Sequence, residues 1–184
     1  MIKRIAHMVL NLVYPTNIYC ICCERPIDSR FPYSLCPACA QIIQWANKET
    51  CKICGKPLTE PAGSYLTSEI YNRWASQEVI EHEKRDVCVD CKSAPREFDK
   101  GFTCTGYNFT ERKLIHDFKY RGKSYLAENL GALMFEKIKA EGIKPDIVVP
   151  VPMYKNKERG RGYNQASLLA GVVAGQLRIP FYSD

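Results

Sequence analysis

The sequence predicts a small metal-ribbon module followed by an α/β domain. Three observations predict it. Four C-x-x-C pairs, Cys20/Cys23, Cys36/Cys39, Cys51/Cys54 and Cys88/Cys91, crowd into the first half of the 184 residues. Two stretches of that half repeat one pattern. The second half alternates apolar stripes of helical period with one short, continuously apolar run at 145–151.

A C-x-x-C turn aims two sulfurs at one point, and two such turns supply the tetrahedral thiolate set of a structural zinc. Four pairs predict two four-cysteine sites. Residues 20–27, Cys-Ile-Cys-Cys-Glu-Arg-Pro-Ile, and 51–58, Cys-Lys-Ile-Cys-Gly-Lys-Pro-Leu, share the form C-x-x-C-x-(basic)-P-(aliphatic). Each unit closes with an aliphatic residue and a second pair: Leu35 before Cys36, Val87 before Cys88. The repeat favours sequential pairing, with Cys20, Cys23, Cys36 and Cys39 on one metal and Cys51, Cys54, Cys88 and Cys91 on the other. Spacing leaves a cross-braced arrangement open. Cys22 and Cys104 stand outside the pattern. Disulfides need an oxidising compartment, and the sequence shows no secretory signal, so a cytoplasmic location is expected. A catalytic zinc keeps an open position and favours histidine; no two of the three histidines lie at ligand spacing.

Hydrophobic content of 46% and charged content of 25% suit a globular protein of one or two domains. No apolar run reaches the roughly 18 residues of a membrane span. The formal net charge of +6 is unevenly placed: residues 1–100 carry 13 basic and 12 acidic side chains, residues 101–184 carry 13 and 8. Two tetrathiolate zinc centres, each of about −2, bring the first half to roughly −3. A polyanion partner therefore belongs to the second half.

In chain order, Ile2, Ile5, Val9, Leu12 and Val13 predict an amphipathic helix over 2–14, ended by Pro15. Lys3 and Arg4 ahead of an apolar run mimic a signal peptide, but His7 and Asn11 interrupt it and no small-residue cleavage site follows. Residues 1–16 form this helical segment and 17–96 the double ribbon. Residues 38–46 read as a short helix. Residues 59–86 are an insertion, with a helix over 65–83 carrying Leu66, Ile70, Trp74 and Val79. Units this small bury too little core and take much of their stability from metal, on the order of 10 kcal/mol per site.

Residues 97–184 form the second domain. The Thr- and aromatic-rich run 101–109 predicts a strand. Thr110 is placed to cap a helix through Leu114, Ile115 and Phe118, ending at Lys119-Tyr-Arg-Gly122. Ser124 caps a longer helix to Ala140, whose stripe of Leu126, Leu130, Leu133, Met134 and Ile138 reads as core; Gly142 stops it. The run 145–151 predicts a buried parallel strand. A basic loop follows, Lys155, Lys157, Arg159 and Arg161 with Gly160 and Gly162. Asn164 or Gln165 then starts a helix through Leu168, Leu169, Val172, Val173 and Leu177. Strand, basic glycine-containing loop and helix N-terminus make the order of an anion site.

The cysteine framework, Lys119-Tyr-Arg-Gly122, Val149-Pro-Val-Pro152 and Arg161-Gly-Tyr-Asn-Gln165 together resemble the ComF family, across nearly the whole chain. The resemblance implies a double zinc ribbon followed by a domain similar to type I phosphoribosyltransferases. It implies a place in DNA uptake by competent bacteria, beside a helicase-like partner and on incoming single-stranded DNA. It matches the eight cysteines to metal positions and residues 155–165 to a loop that meets phosphate or pyrophosphate, with Lys119 and Arg121 on a basic turn nearby.

That fold's phosphoribosyl pyrophosphate motif, a strand ending in two acids before a Thr- and Gly-rich loop, is expected after Pro180 and is absent from these 184 residues. The expectation is thus an incomplete α/β domain in a truncated chain. Some of Leu168, Leu169, Val172 and Val173 should lie exposed. The first functional expectation is electrostatic binding of single-stranded DNA or a phosphorylated ligand by Lys119, Arg121, Lys155, Lys157, Arg159 and Arg161, beside Tyr163, Asn164 and Gln165, with Tyr163, Tyr120 or Phe118 stacking on bases. The second is phosphoribosyl transfer from phosphoribosyl pyrophosphate with Mg2+, in a longer form of the chain; no catalytic residue is assigned. The third is a ribbon module that docks another protein.

Overall fold

The computed structural model describes residues 17–46, 49–58 and 86–182. The helices expected at 2–14 and 65–83 lie outside the described residues. The chain forms two compact units, Met1–Ile43 with Phe109–Asp184, and Gln44–Asn108. The two ribbons fall in different units, so the spatial grouping cuts across the 17–96 segment.

In the first unit the ribbon opens with a knuckle. Tyr19 bridges Pro26, the Cys20 N–H donates to Arg25 O at 2.9 Å, and the Glu24 N–H donates to Cys20 O at 2.8 Å. The closing pair sits on α1, Pro37–Ile42. Cys36 is its N-cap, accepting from the Cys39 N–H at 3.4 Å. A cap and the third residue beyond it lie on one side of a first helical turn, which brings the two sulfurs together. The helix expected over 38–46 ends at Ile42, with Ile43 extended at its C-cap.

The second unit repeats this plan. Thr50 bridges Pro57, the Cys51 N–H donates to Lys56 O, and the Gly55 N–H donates to Cys51 O. Its closing pair is carried by α2, Val89–Ser93, with Cys88 at the N-cap. The strand expected at 101–109 reduces to one antiparallel bridge, Trp45 with Thr105, flanked by bonds from Ala46 N–H to Cys104 O and Gly106 N–H to Gln44 O. Among the described residues only 44–46 lie alongside, which is too little backbone to pair a whole strand.

The rest of the first unit is helical. Helix α3, Phe109–Tyr120, buries Leu114 and Phe118, together with Glu111 and Asp117. Thr110 falls inside its first turn rather than at its cap. Helix α4, Leu126–Ala140, has Tyr125 at its N-cap position, with no side-chain cap bond. It ends in a Schellman arrangement: Gly142 N–H to Lys139 O and Ile143 N–H to Ile138 O. Its stripe is core only at the start. Leu126 is buried, Leu130, Leu133 and Ile138 are half-buried, and Met134 is exposed.

The expected basic loop is a short helix, α5, Lys155–Arg161. Helix α6, Gln165–Leu177, begins where the sequence placed it, with Asn164 as N-cap accepting from Ala166 and Ser167 N–H. It packs on α4, burying Ala170, Val173 and Ala174. Leu168, Leu169 and Val172 are half-buried, so the exposed apolar face expected on this helix is not found there. It lies on the preceding run instead. Val149 and Val151 are 66% and 77% exposed, which corrects the expectation of a buried strand. The reason is what surrounds the run. Among the described residues its one sheet contact is the parallel bridge of Val148 with Phe181. Among the described residues the α/β expectation is therefore met only by helices and this single parallel pair.

A Cβ on Gly131, in the middle of α4, would sit 2.6 Å from Val172 Cγ1 on α6. Gly131→Ala should therefore destabilise the protein by about 1–3 kcal/mol, because overpacking outweighs the better helix propensity of alanine. Chemical denaturation followed by circular dichroism measures this. Unchanged or raised stability would mean that the two helices separate without penalty.

Candidate metal centres and basic surface

The backbone brings the eight paired cysteines into two sets. Cys20, Cys23, Cys36 and Cys39 form one, and Cys51, Cys54, Cys88 and Cys91 the other, each set with its sulfurs within 4.8 Å of one another. This is the sequential grouping. All ten cysteines are free thiols. The geometry fits zinc. A tetrahedron with Zn–S of about 2.3 Å has S···S edges of about 3.8 Å, and Cys23 and Cys36 are 3.8 Å apart, Cys54 and Cys88 3.6 Å. Backbone N–H groups already point at the sulfurs: Cys36 at Cys20 Sγ, 3.5 Å, and Cys88 at Cys51 Sγ, 3.4 Å. In the second set Arg96 Nε donates to Cys91 Sγ at 3.5 Å, offsetting thiolate charge. The two four-cysteine sets fit a double zinc ribbon with two zinc ions.

Cys22 stays apart. It is not among the four converging sulfurs of the first set, and burial, reinforced by the neighbouring Cys20 and Cys23, pushes its thiol up to about 12. Cys104 is half-buried; its backbone carbonyl accepts from Ala46.

The expected phosphate-binding residues divide by geometry. Lys119, Lys155, Lys157 and Arg159 are exposed, and no acid among the described residues forms an ion pair with them. Arg161 is committed internally. It donates to Gln165 Oε1 at 3.1 Å and to Tyr120 Oη at 3.2 Å, with its guanidinium 4.9 Å from the Tyr120 ring centre. Tyr163 donates to Phe118 O at 2.5 Å and packs on the buried Phe118 ring. Burial raises the Tyr163 hydroxyl pKa, against the lowering effect of Gln165 and Arg161. Of the three aromatics weighed for stacking, only Tyr120 is exposed, with His116 tilted against it at 5.1 Å. Asn164 fills the first turn of α6 with its own oxygen, so the Ala166 and Ser167 N–H groups are already satisfied. Gln165 is buried, and its Nε2 has no hydrogen-bond partner among the described residues.

Sequence reading missed the centre of this region. Asp117 is only 3% exposed. Lys123 Nζ lies 2.9 Å from its Oδ2, Lys113 Nζ 3.4 Å from the same oxygen, and Arg121 Nε 3.3 Å from Oδ1. Burial raises the Asp117 pKa, but the three cations overcome it and the net shift is downward. Lys123 is raised to about 12 by its bonds to Glu24 and Asp117. The signal was present: Lys113, Asp117 and Arg121 are spaced i, i+4, i+8 on one helical face.

Comparison with known proteins agrees with the ribbon. The double zinc ribbon domain family matches residues 9–69, a stretch holding three of the four C-x-x-C pairs. The "DNA utilization protein YhgH" of Escherichia coli (strain K12) is 24% identical over 170 residues, which is 90% of this chain and 64% of that protein. The "Competence protein F" of Haemophilus influenzae is 26% identical over 182 residues, 96% of this chain and 62% of that protein. The chain thus spans less than two thirds of the length of either relative. No solved structure matches it. No helix among the described residues is long and apolar enough to cross a membrane.

The purified protein should carry two zinc ions by elemental analysis. Cys20→Ser and Cys51→Ser should each lower the content to one, and removal of both ions by a strong chelator should unfold both ribbons, since each site supplies on the order of 10 kcal/mol. Loss of both ions from either single variant would contradict two independent sites.

Proposed function

We propose that the chain is a ComF-type protein, a reading its ribbon and its relatives support, and that it handles single-stranded DNA in the cytoplasm through a basic surface built on a zinc-stabilised frame. The observation that carries the reading is the contrast among its cations. Lys113, Arg121 and Lys123 are paired with Asp117 or Glu24, whereas Lys119, Lys155, Lys157 and Arg159 face solvent with no acidic partner among the described residues. Unpaired surface cations release condensed counterions when they meet phosphates, and that release drives binding. The contact of Arg161 with Tyr120 joins the C-terminal ends of α5 and α3, and so ties the two basic stretches to each other. Tyr120 keeps exposed ring surface beside them, where an unstacked base gains about 1–3 kcal/mol.

Cations that meet phosphates fix position on the strand and carry no sequence information by themselves. The relatives named for DNA utilization and competence favour DNA over other polyanions. A helicase-like protein working on the same strand is the partner that fits this role. In this reading 17–96 is the double ribbon and 97–184 the segment that carries the DNA surface.

The test is a single-stranded DNA titration of the zinc-loaded chain at several salt concentrations. Affinity should fall steeply with salt. Lys155→Ala/Lys157→Ala/Arg159→Ala should flatten the slope of log K against log[salt] by about 2, at about 0.7 per phosphate contact. Arg161 is left in place because it braces Gln165 and Tyr120. No binding at low salt, or a slope unchanged in the triple variant, would overturn the reading.

A further inference from the structure

Glu24 occupies the one place in the first knuckle where the backbone favours glycine. Its φ is +59°, and the residue at the same point of the second knuckle is Gly55, with φ +72°. The two knuckles otherwise share their hydrogen bonds: Cys20 and Cys51 donate to Arg25 O and Lys56 O, and Glu24 and Gly55 donate back to Cys20 O and Cys51 O. A side chain with a Cβ is disfavoured in this left-handed region. What Glu24 gains is the reach of its carboxylate. Its Oε1 is 2.5 Å from Lys123 Nζ and 3.9 Å from Lys113 Nζ.

Those two lysines are the ones held by the buried Asp117, at 2.9 and 3.4 Å, and Lys113 also donates to the carbonyl oxygen of Cys22 at 3.4 Å. Arg121 of the same turn meets the other Asp117 oxygen. The peptide that carries Cys20 and Cys23 is therefore held to the turn after α3 by one charged cluster with an acid from each side. Among the described residues the second knuckle has no such cluster: Gly55 has no side chain, and Lys52 and Lys56 pair with Asp86 and Asp90 of their own unit.

We infer that Glu24 and Asp117 are positioning residues that couple the first four-cysteine site to the basic turn at 119–123, so that metal held in the first site orders the turn and the ordered turn retains the metal. Such coupling is reciprocal by thermodynamic necessity. The second site stands outside it. The inference concerns metal retention and does not depend on DNA binding.

The test is site-resolved. The zinc-loaded full chain is challenged with a chelator and a thiol-alkylating reagent, and mass spectrometry follows alkylation of Cys20, Cys23, Cys36 and Cys39 separately from that of Cys51, Cys54, Cys88 and Cys91. Hydrogen exchange of the amides at 119–124 is read in parallel. Glu24→Gly relieves the backbone, so a residue that served only the knuckle would slow metal loss when replaced. The coupling requires the opposite: alkylation of the first set about ten-fold faster, the second set unchanged, and faster exchange at 119–124. Asp117→Asn should act in the same direction, and Glu24→Gln serves where Asp117→Asn does not fold. First-set alkylation unchanged or slower in Glu24→Gly, or both sets accelerated equally, would overturn the inference.

Discussion

Convergence of four sulfurs is the constraint on which each ribbon depends. Segments as short as those around each cysteine set hold too few apolar side chains to enclose a core. In the second ribbon the buried cluster consists of Cys51, Cys88 and Cys91, with Ile53, Leu58 and Val87 only partly covered around them. The sulfurs are the core. Everything else in a ribbon serves to aim them: the knuckle bonds that fold 20–25 and 51–56, and the short helices whose N-caps are themselves cysteines.

Charge has two uses in the helical part of the first unit. Around Asp117 it is structural: a buried carboxylate persists only because three cations surround it. Along α5 it is left to solvent. Residue type does not separate these uses, since lysine and arginine occur in both. Burial of the counter-charge does. An acid with a helical face of cations around it turns neighbouring lysines into scaffold, and only those beyond its reach stay open to a ligand.

The metal sites were legible because C-x-x-C spacing encodes its own geometry: two residues between sulfurs leave one turn and one direction. The repeat gave the pairing for the same reason. Helix α6 was legible from Asn164, whose short side chain has a single good use ahead of an apolar run. The run at 145–151 was misread because apolar character states a preference for burial, and burial itself depends on what lies alongside; among the described residues only Phe181 and its neighbours do. The basic loop was misread because its glycines suggested turns, whereas Lys155–Arg161 closes a short helix before Gly162. Tyr163 and Arg161, expected at the phosphate, also form bonds to Phe118, Gln165 and Tyr120 that the sequence did not announce. The bonds to Tyr120 and Phe118 join residues 41 and 45 positions apart, a separation that no local pattern reports.

The two units differ in how the chain supplies them. Gln44–Asn108 is continuous, whereas the other unit takes its ribbon from before that stretch and its helices from after it. As synthesis proceeds from the N-terminus, the ribbon made second has all its parts first. The ribbon made first emerges with its thiolates but without its anchor, and Asp117 and Lys123 are translated only after the whole of the intervening unit. At roughly 5–20 residues per second, that interval is several seconds. During it the early ribbon has its knuckle bonds, its short helix and its metal but not the charged cluster of the later helices, so metal supply comes before long-range packing in its folding.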